Sequence, residues 1–448
     1  MSVTTEWDPT AEAYASWVEL EMTSDTGVTQ SEYRTQFTLP PGVFVADYYL
    51  YVGDRKEPGI LAERRAATWI YQQITSARRD PGLLRYVGDN RLDLRVFPFA
   101  HRETRRTGFE LLHKEPVSFV LDGQTVQLGA TGGAAYDGVL SNMRYVTARD
   151  KAALAQVQRK GRLHFLLDGS RRGTPEAETT MLNEMARLNA EYGDPKRSPQ
   201  ITLAGTYPVT IAEGADVATS LEATSAGGFF AQRALETILR EERYGTPDLE
   251  FPRIILLSAG TQPILTDELS AFAAALPEDP AYYRLAADGS LRRQPLIATD
   301  TAKGWQTPGP VYAWPNPIYP KYFLSLNSGP ALVAREGKRW TGSADRWTTA
   351  AHLYAEHLHH RRTGATGYRP WLSEVRGSFA AQVLMPTTAF LVVENEAQKE
   401  ALRRKQEQTL QADPNFDVGE ETRRMSEPGE WLLLLLPVLL FQFRRKLL

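Results

Sequence analysis

The 448-residue sequence contains no cysteine, which excludes disulfides, thiolate nucleophiles and cysteine metal sites but fixes no compartment. An excess of charge of one sign is also missing: 51 basic residues against 54 acidic ones leave a formal net charge of −3. That balance argues against a nucleic-acid binder working by phosphate neutralisation. No stretch pairs a nucleophile with a base, and no glycine loop is built to cradle phosphate. The first 21 residues carry Glu6, Asp8, Glu12 and Glu19 and no continuous apolar core, so they do not read as a secretory signal. Long hydrophobic runs are absent everywhere except near the C-terminal end.

There, residues 431–443 form an apolar block from Trp431 and Leu432 to Phe443, interrupted only by Pro437 and Gln442 and followed by Arg444, Arg445 and Lys446. As a helix, thirteen residues span only about 20 Å against a hydrocarbon core of about 30 Å. One reading is a buried core helix. The other is a short transmembrane segment whose basic end snorkels to the headgroups; the lack of a polar stripe and the terminal basic cluster favour it. Met425, Ser426, Glu427 and Pro428 precede the block. This order of short motif, apolar segment and basic cluster resembles the MSEP-type C-terminal sorting signal handled by bacterial exosortases. The resemblance implies an exosortase-like processing enzyme as partner and an anchor cleaved at or near residues 425–428. Basic residues after the segment are expected to stay cytoplasmic. The main body is therefore expected outside the cytoplasm, at a bacterial membrane or cell envelope, by an export route that residues 1–21 do not supply.

With 42% hydrophobic and 23% charged residues, the rest of the chain has ordinary cores to bury, in two or three domains by length. Residues 14–22, 32–39 and 43–52 alternate as strands, with Pro40-Pro41-Gly42 forcing a turn, and residues 60–76 have a helical period. Phe37-x-Leu39-Pro40, the segment 59–64, Arg79-Asp80-Pro81-Gly82-Leu83-Leu84 and Arg95-Val96-Phe97-Pro98 resemble, in order and spacing, the VIT (vault and inter-α-trypsin-inhibitor) domain. The resemblance covers roughly residues 10–115 and implies a mostly-β sandwich. Asp80 reads as a turn residue, and Arg102, Arg105 and Arg106 as a solvated strand face or a patch for an acidic partner.

Beyond a Gly/Ala-rich connector the pattern becomes strand 163–167, helix 175–192, a strand within 201–211, helix 228–242 and strand 253–257, which implies a parallel sheet covered on both faces. The first of these strands ends in Asp168-Gly169-Ser170, which resembles the metal loop of a von Willebrand factor A domain. In that family a hard cation is held by an Asp-x-Ser-x-Ser loop, a Thr and a further Asp, because it needs several converging oxygens. Asp168 and Ser170 remain, but Arg172, Phe229 and Ser258 stand where the other ligands are expected. A degenerate remnant holding no metal is the expectation, and no cofactor is implied.

Residues 345–361 form a helix carrying His352, His357, His359, His360 and Glu356. A zinc hydrolase needs histidines at i and i+4; here the five-residue spacing of His352 and His357 rotates them to different faces, and the helix reads as a polar surface. Residues 388–393 read as a strand closing the A-like region.

The expected organisation is multidomain α+β: a VIT-like β domain at 1–117, a connector at 118–145 and a von Willebrand A-like α/β domain at 146–394 with an irregular insertion around 279–339. A charged helix and stalk follow at 395–424, then the sorting tail at 425–448. The expected function is that of a non-enzymatic, membrane-anchored envelope protein that binds an unidentified protein and no nucleic acid. The alternatives are a metal-dependent hydrolase and a cytoplasm-facing, tail-anchored scaffold.

Overall fold

The computed structural model describes residues 1–24, 31–76, 80–88, 90–129, 143–170, 174–224, 227–245, 248–259, 269–297, 300–334, 345–364 and 367–411. The chain is mixed α+β, and its N-terminal part is mostly β. Two antiparallel five-stranded sheets face each other there. One runs, in spatial order, Ser2–Asp8, Ala13–Thr23, Thr104–His113, Phe44–Val52 and Arg55–Pro58; the other runs Ser31–Thr38, Arg91–Phe99, Gly82–Gly88, Thr388–Val392 and Ile60–Glu63. Alternation aims Val18, Leu50, Phe109 and Leu111 of the first sheet at Phe37, Leu84, Leu94 and Phe390 of the second, and these residues form one apolar cluster. A hairpin of Val117–Leu121 and Gln124–Leu128 adds Phe119, Leu121, Val126 and Leu128 to that cluster, with Phe119 stacked 5.6 Å from Phe37. The hairpin thus belongs to the sandwich, although its residues read as connector in the sequence.

The position of Thr388–Val392 is the main departure from the sequence reading. This strand does not close the α/β region. It enters the N-terminal sheet between Ile60–Glu63 and Gly82–Gly88, antiparallel to both. All five of its residues are buried, because both edges are paired and both faces are covered. Residues 60–63, expected as the first turn of a helix, are drawn into the ladder instead. The helix begins at Arg64, with the Glu63 carboxylate accepting from the Ala66 amide at 2.8 Å. On the outer face of this sheet the helices Arg64–Ser76 and Glu396–Gln411 bury Ala66, Ile70, Leu83, Leu391 and Leu402 together. The charged helix Glu396–Gln411 is therefore docked on the sheet. Gln406 accepts from the Glu63 amide at 3.1 Å, and Tyr368 donates to the Leu410 carbonyl at 2.6 Å.

The second layer system is a six-stranded sheet in the order Pro208–Thr210, Gln200–Ala204, Lys160–Asp168, Glu250–Leu257, Ala281–Leu285, Leu291–Pro295. The inner four strands are parallel, and an antiparallel strand closes each edge. Helix Pro175–Tyr192 starts with Pro175 in its first turn and Thr174 as N-cap, a favourable entry for a helix; its Met181 and Leu188 pack on one face of the sheet. Helix Ala231–Tyr244 buries Ala234, Leu235, Ile238 and Leu239 in the cluster on the other. The region expected as an insertion opens with a hairpin whose two strands extend this sheet. Its Pro- and Trp-rich part packs inward, with Trp305 between Tyr192 and Tyr283 and the Arg253 guanidinium 3.4 Å over its ring.

Helix Arg346–Thr363 is a wedge between the two systems. The alanines, Trp347, Leu353, Tyr354 and Leu358 cover most of its circumference, and His352 is buried among them, as expected of a helix apolar on more than one side. Trp347 packs on Phe44 and Tyr145 and donates its indole N–H to the Gly42 carbonyl at 2.7 Å. Gly42 sits at φ +81°, with the Tyr145 ring against the place a Cβ would occupy. Through this helix Ala13, Phe44 and Ala46 of the sandwich share one apolar cluster with Leu166 and Leu235 of the parallel-sheet region.

Among the described residues no helix is long and apolar enough to cross a membrane. Met425, Ser426, Glu427, Pro428 and the segment from Trp431 to Lys446 lie outside the described residues.

Candidate functional site

The C-terminal edge of the parallel strands is where loops of an open α/β sheet converge, and where such sheets bind ligands and partners. The strand Lys160–Asp168 delivers Asp168 there. Its Oδ1 accepts from the Ser170 amide at 3.0 Å and the Ser170 hydroxyl at 2.6 Å, and its Oδ2 accepts from the Ser258 hydroxyl at 2.7 Å. The structure therefore brings together Asp168, Ser170 and the residue standing in place of the last expected acid. Among the described residues at this edge one carboxylate contributes the charge, and both its oxygens are engaged by neutral donors. A divalent cation prefers six or more oxygens with several carboxylates, more than Asp168, Ser170 and Ser258 supply among the described residues. Among the described residues no three His, Asp or Glu side chains group to hold a metal ion. Arg172 lies outside the described residues, and Phe229, half-buried, packs against the core.

Beside this carboxylate the edge is aromatic. Tyr207 and Phe230 are exposed, as is Val209, and Arg233 ties their loops together. Arg233 donates to the Thr206 carbonyl at 3.0 Å, and its guanidinium lies 5.8 Å over the Tyr207 ring. Gly227, at φ +92°, brings its backbone against the Thr206 hydroxyl, a close approach that only glycine allows at that angle. Sequence reasoning missed Tyr207 and Phe230 as surface residues because lone aromatics flanking strands usually pack inward.

The structure corrects the reading of the arginines in the sandwich. Arg105 does not lie on a solvated face: it is buried and pairs with Asp80 at 3.2 Å while donating to the Pro98 carbonyl at 3.1 Å. Glu394, at the end of the inserted strand, accepts from the Asp80 amide at 2.7 Å. Burial raises the Asp80 carboxyl above its ordinary range, against the Arg105 charge. The Asp-Pro-Gly motif is thus the knot that ties the returning chain to the sandwich. Arg106 is placed over the Tyr51 ring at 4.2 Å.

The histidines are also placed differently. His352 faces the core, and burial pushes its pKa down to about 4. His357 pairs with Glu374 at 3.0 Å, and that carboxylate's other oxygen accepts from Thr387 at 3.1 Å. The helix is a buried wedge, not a polar surface, because its alanine-rich sides fit between two layers. Elsewhere the structure forms a pair with no trace in sequence spacing: Ser16 lies 2.8 Å from His113 Nε2, and His113 Nδ1 lies 2.8 Å from the Glu115 carbonyl. A carbonyl only accepts, so Nδ1 carries the proton and Ser16 donates to Nε2. Both residues are buried, 0% and 1% exposed, and Thr5 of the edge strand covers Ser16 at 2.8 Å. The pair is closed off from solvent and links the strands Ala13–Thr23 and Thr104–His113.

No curated protein matches the chain. A family comparison does identify part of it: residues 12–111 match the Vault protein inter-alpha-trypsin domain. These residues are most of the two-sheet sandwich, from Ala13–Thr23 through Thr104–His113, and the chain therefore carries a VIT domain.

Proposed function

We propose that this chain is a non-enzymatic, membrane-anchored envelope protein that binds another protein, with residues 425–448 as a sorting signal read and cut by an exosortase-like enzyme. The observation that carries the interaction reading is the VIT domain at residues 12–111, which supports a protein-binding role. Fold alone does not assign a partner, so the argument for a docking surface comes from the edge beside Asp168. On this reading the parallel sheet is a von Willebrand A-like domain whose metal loop is degenerate. Its hydroxyl-satisfied carboxylate and exposed Tyr207 and Phe230 suit a metal-independent protein contact, in which aromatic anchors supply most of the energy. The sorting part rests on Met425-Ser426-Glu427-Pro428, the segment 431–443 and the Arg444-Arg445-Lys446 stop.

Two experiments test the two parts separately. Mass spectrometry of the mature C-terminus, in cells with the cognate enzyme, should find an end at or near residues 425–428; an intact Leu448 overturns the sorting assignment. A photo-crosslinker at Tyr207, on intact cells, should give one discrete adduct that Phe230→Glu abolishes and EDTA leaves unchanged. An adduct lost with EDTA overturns the metal-independent contact. Protection of the body from protease added to intact cells would instead place it in the cytoplasm, as a tail-anchored scaffold.

A further inference from the structure

Between the sandwich and the parallel-sheet region lies a cavity of about 350 Å³, partly open to solvent. This size falls in the range of small-molecule sites, about 300–1,000 Å³. Its wall is mainly apolar, with Leu39, Phe323, Leu324, Leu332, Tyr354 and Leu358 contributing. Pro41, Pro277, Pro280 and Pro330 also line it. Their fixed φ angles stiffen the wall against collapse, so the space is pre-formed.

One charged group stands in this wall in an unusual state. Arg362, on the last turn of the wedge helix, is 5% exposed. Its Nε donates to the Ala271 carbonyl at 2.8 Å, and among the described residues no carboxylate pairs with it. A guanidinium held that deeply, with no carboxylate on it among the described residues, is costly. Arg243 lies in the same lining, with its guanidinium 4.3 Å over Tyr322 and Nη1 donating to the Ala274 carbonyl. A rigid apolar chamber with a buried guanidinium in its wall is complementary to one kind of small molecule, a single anionic head on an aliphatic body. Guanidinium and carboxylate match in shape as well as charge.

We propose that this cavity binds an amphipathic monoanion of the fatty-carboxylate class, its carboxylate on Arg362 and its chain against Phe323, Leu332 and Leu358. The site is distinct from the Asp168 edge and independent of the sorting tail. The probe is decanoate, below its micelle concentration, titrated calorimetrically into the full chain, with decanol and acetate as controls. Decanoate should bind at one site per chain, about tenfold or more tighter than decanol, since the charge-assisted pair supplies the difference. Acetate should not compete, because the anion alone leaves the apolar wall unused. Arg362→Gln should remove the preference for decanoate over decanol, and Arg362→Lys should restore part of it. Should Arg362→Gln fail to fold, Ala274→Trp, at an exposed position of the lining, should block decanoate without touching the core. Equal binding of decanoate and decanol, competition by acetate at equal concentration, or no saturable site at all would overturn the proposal.

Discussion

The strand Thr388–Val392 offers the sharpest test of how this chain folds. The relevant perturbation is to cut the sandwich at 1–129, which keeps the hairpin after residue 117 but removes the returning strand. In the intact chain that strand makes four register pairs with Ile60–Glu63 and four with Gly82–Gly88. Phe390, Leu391 and Val392 are each at most 2% exposed. Burying three such side chains contributes about 5–9 kcal/mol, on the scale of the entire stability of a small domain, about 5–15 kcal/mol. Losing the strand also leaves a slot in mid-sheet with unpaired amides and carbonyls on both sides. Fragment 1–129 is therefore expected to lack a cooperative urea transition when followed by tryptophan fluorescence. The same fragment joined through a flexible Gly/Ser linker to residues 383–411 should recover one. If 1–129 unfolds cooperatively at the same urea midpoint as the joined form, the returning strand is dispensable and the reasoning fails.

Gly82 lies where the sandwich is tightest: an added Cβ would strike the Tyr48 hydroxyl and approach Leu50 at 3.1 Å. Gly82→Ala should cost about 1–3 kcal/mol by overpacking, and Tyr48→Phe should return part of it, as read from urea midpoints of the single and double variants. His164, buried on the central parallel strand, has its pKa pushed down to about 4 by burial and then by Arg162. The unfolded chain holds that proton more tightly, so stability should fall as pH drops from about 6.5 towards 4, by about 2 kcal/mol for this one residue at pH 5. Glu242, pushed up to about 7 by burial despite Arg159, works in the opposite direction. The check is therefore the difference between wild type and His164→Gln at pH 7 and pH 5, in which the Glu242 contribution cancels; an unchanged difference would refute the assignment. Asp168→Ala should cost about 1–3 kcal/mol by stranding the Ser170 and Ser258 hydroxyls, while millimolar Mg²⁺ should leave the wild-type Tm unmoved. A clear Mg²⁺-induced rise in Tm would show that the Asp168 loop takes a cation after all.

Local pattern made much of this chain legible from sequence. Alternation in residues 14–22 and 43–52 placed two strands of the sandwich, and the helical period placed the 18-residue helix at 175–192 because side-chain period is local. The Asp80-Pro81-Gly82 motif and its neighbours identified the VIT domain, since a tight turn against Tyr48 permits few residue types. Asp168 and Ser170 could be paired in advance because they lie two residues apart on one strand end. What sequence could not supply was partnership across hundreds of positions. Residues 388–393 read as a strand, but a buried strand has two hydrogen-bonding edges that take any backbone, so nothing in its letters names Ile60–Glu63 and Gly82–Gly88 as its neighbours. Arg105 looked solvated until Asp80 met it, and His352 looked exposed until two layers closed on its helix. The amino-acid sequence by itself determined most of the strands and helices, because side-chain period acts within a few residues; it misplaced residues 60–63, which a distant strand draws into the sheet. Only the tertiary structure decided that the chain returns from residue 388 to complete its own first sheet, because that choice depends on which distant surfaces bury the most apolar area together.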